Sequence, residues 1–327
     1  MLSPDPRLPT LLFSWQTSWE SFVVLALQLA ALAWYLGSVR RLATAGQHWS
    51  VWVATSFVLG VVVSAYAYEG GVAYYQRSNF TAHVVQLLLL CFAAPPLVAG
   101  GCPLRLALLS GTGRPTGALV RLMHSRLARF VAHPLTGLLV LTATLYAYFL
   151  SPLYGFSERH LLFLAYVHLQ YFISGALFWW SVVGRDASPR PASFGWRFSL
   201  VVASVPVVGF CGLEVASVKS PLYAAANTLA DTHQGGNVLW GLAVVFEVAA
   251  LGYLFVEWAR EEERRVLRAD RQLEAALAAT RGVSVGPAAT GASFPGPAYP
   301  DATFPGPAPT GAVSTGASPE GGEEAHL

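Results

Sequence analysis

Four histidines carry the most evident chemistry in this chain: His83, His160, His168 and His233. Imidazole is a frequent ligand for copper and zinc, and a carboxylate often holds its second ring nitrogen. His83 opens an apolar stretch, NFTAHVVQLLLLCFAAPPLVAG, residues 79–100. Gln86 follows it on the same helical face, and Asp231 precedes His233 by two residues. Cys211 and Glu214 complete a polar set at the same level. The candidate metal ligands are therefore His83, His160, His168 and His233, supported by Asp231, Gln86, Glu214 and Cys211. No two of these histidines stand in HxxH or HxxxH spacing, and Met1 and Met123 are too few for a methionine-rich copper strip. A lone histidine inside a membrane can instead bond a neighbouring helix, at about 0.6 kcal/mol. The residues alone leave both readings open. Cys91, Cys102 and Cys211 form no CxxC pair, which points away from a disulfide framework or a thiolate site.

The elements that must position these groups are membrane helices. The chain has 327 residues, 54% hydrophobic and 12% charged, against about 25% charged in a soluble domain. Its apolar residues fall in seven runs, near 21–39, 49–67, 81–100, 132–150, 161–183, 198–216 and 237–256. Each approaches the ~20 residues that cross a bilayer. Continuous runs exclude a transmembrane barrel, whose strands alternate, and unpaired backbone in lipid demands helices. Tryptophans such as Trp19, Trp34, Trp179, Trp180, Trp240 and Trp258 cluster at run ends, as interfacial anchors do. Pro95-Pro96 and Pro206 are expected to kink or end their runs. The expected fold is all-α, a polytopic membrane protein of seven transmembrane helices.

Loop charges set an expected orientation. Arg40 and Arg41, then Arg105, Arg114, Arg121, Arg126 and Arg129, then Arg185, Arg190 and Arg197 occupy alternate loops. The remaining loops are close to neutral. The positive-inside rule places the N-terminus outside and the C-terminus in the cytoplasm. His168 then lies about 12 Å deeper than His160, at 1.5 Å per residue, and the four histidines share the outer side. His48, His124 and His133 fall on the inner side. Residues 1–18 lack a cationic start and a small-residue cleavage site, so the first run is expected to stay in the membrane. The expected organisation is an external segment (1–20), a seven-helix transmembrane domain (21–256), a charged cytoplasmic helix (257–279) with Glu261 facing Arg265, and a disordered tail (280–327). The tail carries the Gly/Pro-rich rough repeat ASFPGPAYPDATFPGPAP.

Four segments together resemble the bacterial cytochrome c oxidase assembly factors of the CtaG family, actinobacterial type. They are AHVVQLLLLCFAAPPLVAGGCP (82–103), HPL (133–135), HLQYFISGALFWWSVVG (168–184) and LADTHQGGNVLW (229–240). The resemblance implies a multi-pass cell-membrane protein that assists copper insertion or subunit maturation in a haem–copper oxidase. It implies no catalysis, copper as the metal handled, and oxidase subunits and membrane lipid rather than nucleic acid as partners. The family's histidines fall on His83 and His168, and its aspartate on Asp231. Where relatives carry a second histidine four residues on, this chain has Leu87; where many have methionine, it has Val84. Glu247 lies seven residues beyond Trp240, and the family's glutamate is not carried over to it. The alternatives are a transporter of a metal ion or small molecule, and a metal-free scaffold for oxidase subunits. A transporter calls for polar groups at mid-depth, which the inner halves of runs three and five lack.

The orientation has a direct test. A reporter fused after Arg271 is expected to be active only in its cytoplasmic form, and one fused before Trp15 only in its external form. Both reporting from one side would end the seven-span arrangement.

Overall fold

The computed structural model describes residues 14–16, 18–111, 114–222 and 228–283. Residues 1–13 of the expected external segment and the expected tail from 284 onward lie outside the described residues. Among the described residues there is no strand. The helices are α1 (Trp19–Thr44), α2 (Val51–Glu69), α3 (Gly71–Tyr75), α4 (Phe80–Leu88), α5 (Ala94–Gly100), α6 (Pro103–Ser110), α7 (Arg114–Met123), α8 (Arg126–Val131), α9 (Pro134–Phe149), α10 (Leu153–Arg159), α11 (Leu161–Val183), α12 (Phe194–Ser217) and α13 (Leu229–Val283). A π-helical turn, Leu89–Ala93, joins α4 to α5. Two compact units divide after Arg268, and the bundle lies in the first. The second is described only over residues 269–283, which are helical; the helix thus reaches four residues past the expected boundary at 279.

Among the described residues, six helices are long and apolar enough to cross a membrane: α1, α2 with α3, the composite Phe80–Ser110, α11, α12 and α13. The fourth run differs from a single straight helix. Its 16-residue α9 is followed by α10 at a bend of 73°. Ser151-Pro152 sits at the bend, and proline resists continuation of a helix by clash and by its missing donor. Counting the bent pair as one crossing restores the expected seven. The chain is a multi-pass membrane protein.

The third run is the centre of the bundle. Its helix does not end at Pro95-Pro96 but passes through them with a change of winding. The Ala94 N–H bonds Leu89 O, five residues back. Cys91 O would take its next donor from residue 95 in an α-helix or 96 in a π-helix. Both are proline. The orphaned carbonyl is met by Trp179 Nε1–H from α11, at 2.9 Å. Gly175 lets α11 come this close: a Cβ there would stand 2.7 Å from Cys91 Cα and nearer still to its carbonyl oxygen. The same span packs closely on α2, where Ser56 donates to Leu97 O at 2.7 Å and a Cβ at Gly60 would stand 2.8 Å from Val98 N. Small residues permitting backbone approach are the usual device for helix association in lipid.

The arginine-bearing end has its own fastenings. Arg197 of α12 donates to Val182 O and Val183 O, the last carbonyls of α11, and pairs with Glu257 of α13 at 2.6 Å. Asp186, in the loop after α11, accepts from the amides of Leu104 (2.9 Å) and Arg105 (2.7 Å) and so caps α6. Burial pushes the Asp186 carboxyl up, against those amide bonds, which favour its charged form. Further along α13, Glu261 is 3.8 Å from Arg265 and 2.7 Å from Arg268. Exposed pairs of this kind contribute about 0–1 kcal/mol.

Trp179→Phe keeps the ring but removes the N–H, leaving Cys91 O unpartnered at a cost of about 1–3 kcal/mol. Gly175→Ala forces α11 away from the π turn. Both are expected to lower the midpoint of thermal unfolding. A thiol-reactive dye can follow it, because Cys91, Cys102 and Cys211 are all free and buried. Trp180→Phe, one residue on, is the comparison; an equal midpoint for all three variants would remove the role assigned to Trp179.

Candidate functional site

At the end of the bundle opposite the arginines, α4 starts with two caps. Its own Asn79 accepts the amide of Ala82 at 2.7 Å. The second cap comes from another helix: Asp231 of α13 accepts from Phe80 N (2.6 Å), Thr81 N (3.1 Å) and the Thr81 hydroxyl (2.7 Å). A carboxylate at a helix N-terminus meets both orphan amides and the positive end of the dipole. Gly235 and Gly236 seat α13 for this contact. A Cβ at Gly235 would stand 2.6 Å from Phe80 Cε1, and one at Gly236 would stand 2.7 Å from Gly212 O on α12. The stretch LADTHQGGNVLW is thus a fastening between α13, α4 and α12.

That fastening fixes His83 one turn below the start of α4. His83 is fully buried, and neither ring nitrogen has a hydrogen-bond partner. His168, in α11, is also buried, and its Nε2 is likewise unpartnered. The two ring centroids are 6.1 Å apart. Aromatic rings surround them: Tyr154 at 5.3 Å, Tyr148 at 5.6 Å and Tyr171 at 6.2 Å from His83, and Tyr68 at 6.0 Å from His168. The bend between α9 and α10 is what returns Tyr154 to His83, and Tyr148 and Ser157 share a 2.8 Å hydrogen bond across it. Buried imidazoles without partners are uncommon, since each unmet polar group costs free energy.

The structure brings His83 and His168 together and leaves the remaining candidates elsewhere. His160 is exposed at the start of α11, its ring 4.1 Å from Phe156. His233 is half-buried, with Nε2 2.8 Å from Val218 O. Glu214 points out of the bundle. Cys211 is buried in the apolar core. Gln86 donates from Nε2 to Ala67 O at 2.9 Å, which ties α4 to α2. Asp231 is occupied by α4 and not by an imidazole. Among the described residues no three of His, Cys, Asp and Glu converge on one point. Zinc takes at least three protein ligands. The two imidazoles alone fall short of that number.

Sequence reasoning missed the tyrosine enclosure. Its signal is the aromatic density of LYAYFLSPLYGF around a Ser-Pro break. It also passed over buried carboxyls. Glu69 has both oxygens without partners, and Glu247 of α13, fully buried, accepts from Ser204 at 2.7 Å through one oxygen only.

The family model described as "Cytochrome c oxidase caa3 assembly factor (Caa3_CtaG)" matches residues 33–261. The chain belongs to this family. The matched region contains both imidazoles, Trp179 and the Asp231–Gly236 fastening. Similar proteins include uncharacterized proteins of Mycobacterium bovis and Mycobacterium tuberculosis, each 26% identical over 294 residues, covering 85% of this chain and 44% of theirs. An uncharacterized protein of Mycobacterium leprae is 26% identical over 261 residues, covering 75% of this chain and 40% of its own. The chain thus spans less than half the length of these relatives. No solved structure matches.

Asp231→Ala is expected to cost about 1–2 kcal/mol, the scale of a lost N-cap. Hydrogen exchange at the Phe80 and Thr81 amides should accelerate, whereas Glu214→Ala leaves both unchanged. Unaltered exchange in Asp231→Ala would separate this residue from α4.

Proposed function

We propose that this protein is a membrane assembly factor for haem–copper cytochrome c oxidase that holds copper as cargo between His83 and His168, on the outer side of the membrane, during maturation of an oxidase subunit. One observation carries the reading: two buried imidazoles, with both nitrogens of His83 and Nε2 of His168 unpartnered, lie 6.1 Å apart between centroids inside the region matched by the assembly-factor family. A metal bonded to two rings at ~2 Å each spans roughly the centroid separation seen here. The aromatic enclosure of the fully buried His83 limits the water that competes for the ion. His160, His233 and Asp231 have no part in holding the ion in this reading, and Leu87 closes the position where a further imidazole would stand. No catalytic step belongs to it. The metal-free scaffold is favoured by a different observation, that Asp231, Gly235 and Trp179 serve packing.

His83→Ala and His168→Ala are each expected to lower copper in the purified protein by at least about tenfold, the scale on which even a supporting residue of a metal site acts. Oxidase maturation should fall with it, and the protein should still accumulate in the membrane. His160→Ala and His48→Ala should change neither. Elemental analysis decides: copper unchanged in the double variant excludes the cargo site. Lost oxidase with unchanged copper supports the scaffold.

A further inference from the structure

A cavity of about 650 Å³ lies between α1, α2 and α11, inside the ~300–1,000 Å³ range of ligand pockets. Helix α1 is peripheral, and few of its residues are buried. Much of its lining is apolar, with Leu27, Val61, Leu164 and Phe172 among it. Its polar groups are unusual. Both carboxylate oxygens of Glu20, Oε1 of Gln28, Oε1 of Gln76 and Nε2 of His168 are buried without partners, and all four residues line this one cavity. Gln76 and His168 are themselves 3% and 6% exposed. Unmet polar groups scattered through a protein have many explanations, but several lining one space, with Glu20 and Gln76 among them, call for an occupant.

Their chemistry says which kind. The Glu20 and glutamine oxygens only accept hydrogen bonds when the carboxyl is ionised, so the occupant donates. Arg77 also lines the cavity, and it is exposed; guanidinium pairs well with phosphate. An acceptor set and a guanidinium at the polar end match a head bearing both an ammonium and a phosphate. Depth says the rest. From Glu20 to Ala31, both lining residues, α1 rises about 16 Å, close to half of a ~30 Å hydrocarbon core. The cavity is one leaflet deep.

We propose that this cavity binds a zwitterionic aminophospholipid, with the ammonium at Glu20 and Gln76, the phosphate at Arg77, and an acyl chain between α1 and α11. A choline head has the same charges but no N–H to donate. A glycerol head donates but brings no cation to Glu20. A fatty acid would add acceptors to acceptors. The cavity borders the copper reading at His168, which lines both, and its test leaves His83 and His168 intact.

The full chain, purified in mild detergent, would be incubated with equal amounts of phosphatidylethanolamine, phosphatidylcholine and phosphatidylglycerol and analysed by native mass spectrometry. Retention of the ethanolamine lipid is expected to exceed that of the other two about tenfold, as charge-assisted hydrogen bonds allow. Glu20→Gln should erase that preference while copper content stays unchanged. Ala165→Trp, which fills the cavity from α11, should reduce retention of all three lipids, with an unchanged unfolding midpoint showing that the fold persists. Equal retention of ethanolamine and choline lipids, an undiminished preference in Glu20→Gln, or recovery of an isoprenoid quinone in place of phospholipid would each overturn the proposal.

Discussion

In a bilayer no water is at hand to satisfy a main-chain N–H or C=O, and the third span of this protein breaks its own ladder more than once. The bundle is arranged around mending those breaks. Asp231 of α13 meets the amides where α4 begins. Trp179 of α11 meets the carbonyl that Pro95 and Pro96 leave without a donor. Asp186 meets the amides where α6 begins. Two carboxylates and one indole, none of them on the third span, thus determine where that span sits. His83 lies between two of the repairs, and its place is a consequence of them.

This division changes what the family-like motifs mean. In LADTHQGGNVLW the aspartate and both glycines serve the seating of α13, and His233 is turned to Val218 O. In HLQYFISGALFWWSVVG, Gly175 and Trp179 form the joint to the π turn, and His168 keeps an unpartnered Nε2. A motif of a dozen residues therefore contains mostly joinery, and the side chains left over are the ones free for chemistry. His83, with neither ring nitrogen bonded, is enclosed by tyrosines that come from α9, α10 and α11.

Much of this was legible beforehand. Apolar run length gave the crossings, since a helix in lipid must be long and greasy whatever it packs against. Depth along each run placed His83 and His168 at one level. Angular position was not legible. Span helices are apolar all round, so no periodic stripe marks the inward face. His160 and His168 are eight residues apart, about 80° around a helix, and only the neighbouring helices decide that one ring is buried and the other is not. Cys211 and Glu214 part in the same way. The bend at Ser151-Pro152 was hidden because hydropathy does not see backbone donors, and with it went Tyr154. The same blindness concealed Trp179: its partner is a carbonyl exposed by prolines 88 residues earlier.

That separation has a bearing on synthesis. The third span enters the membrane long before its partners exist. Trp179 is made 88 residues after Cys91, and Asp231 follows Phe80 by 151 residues. In the interval the nascent helix carries an open carbonyl at its middle and two bare amides at its head. It must keep them beside water, the insertion machinery or another chain until α11 and then α13 arrive. The centre of the bundle is threaded early and completed last.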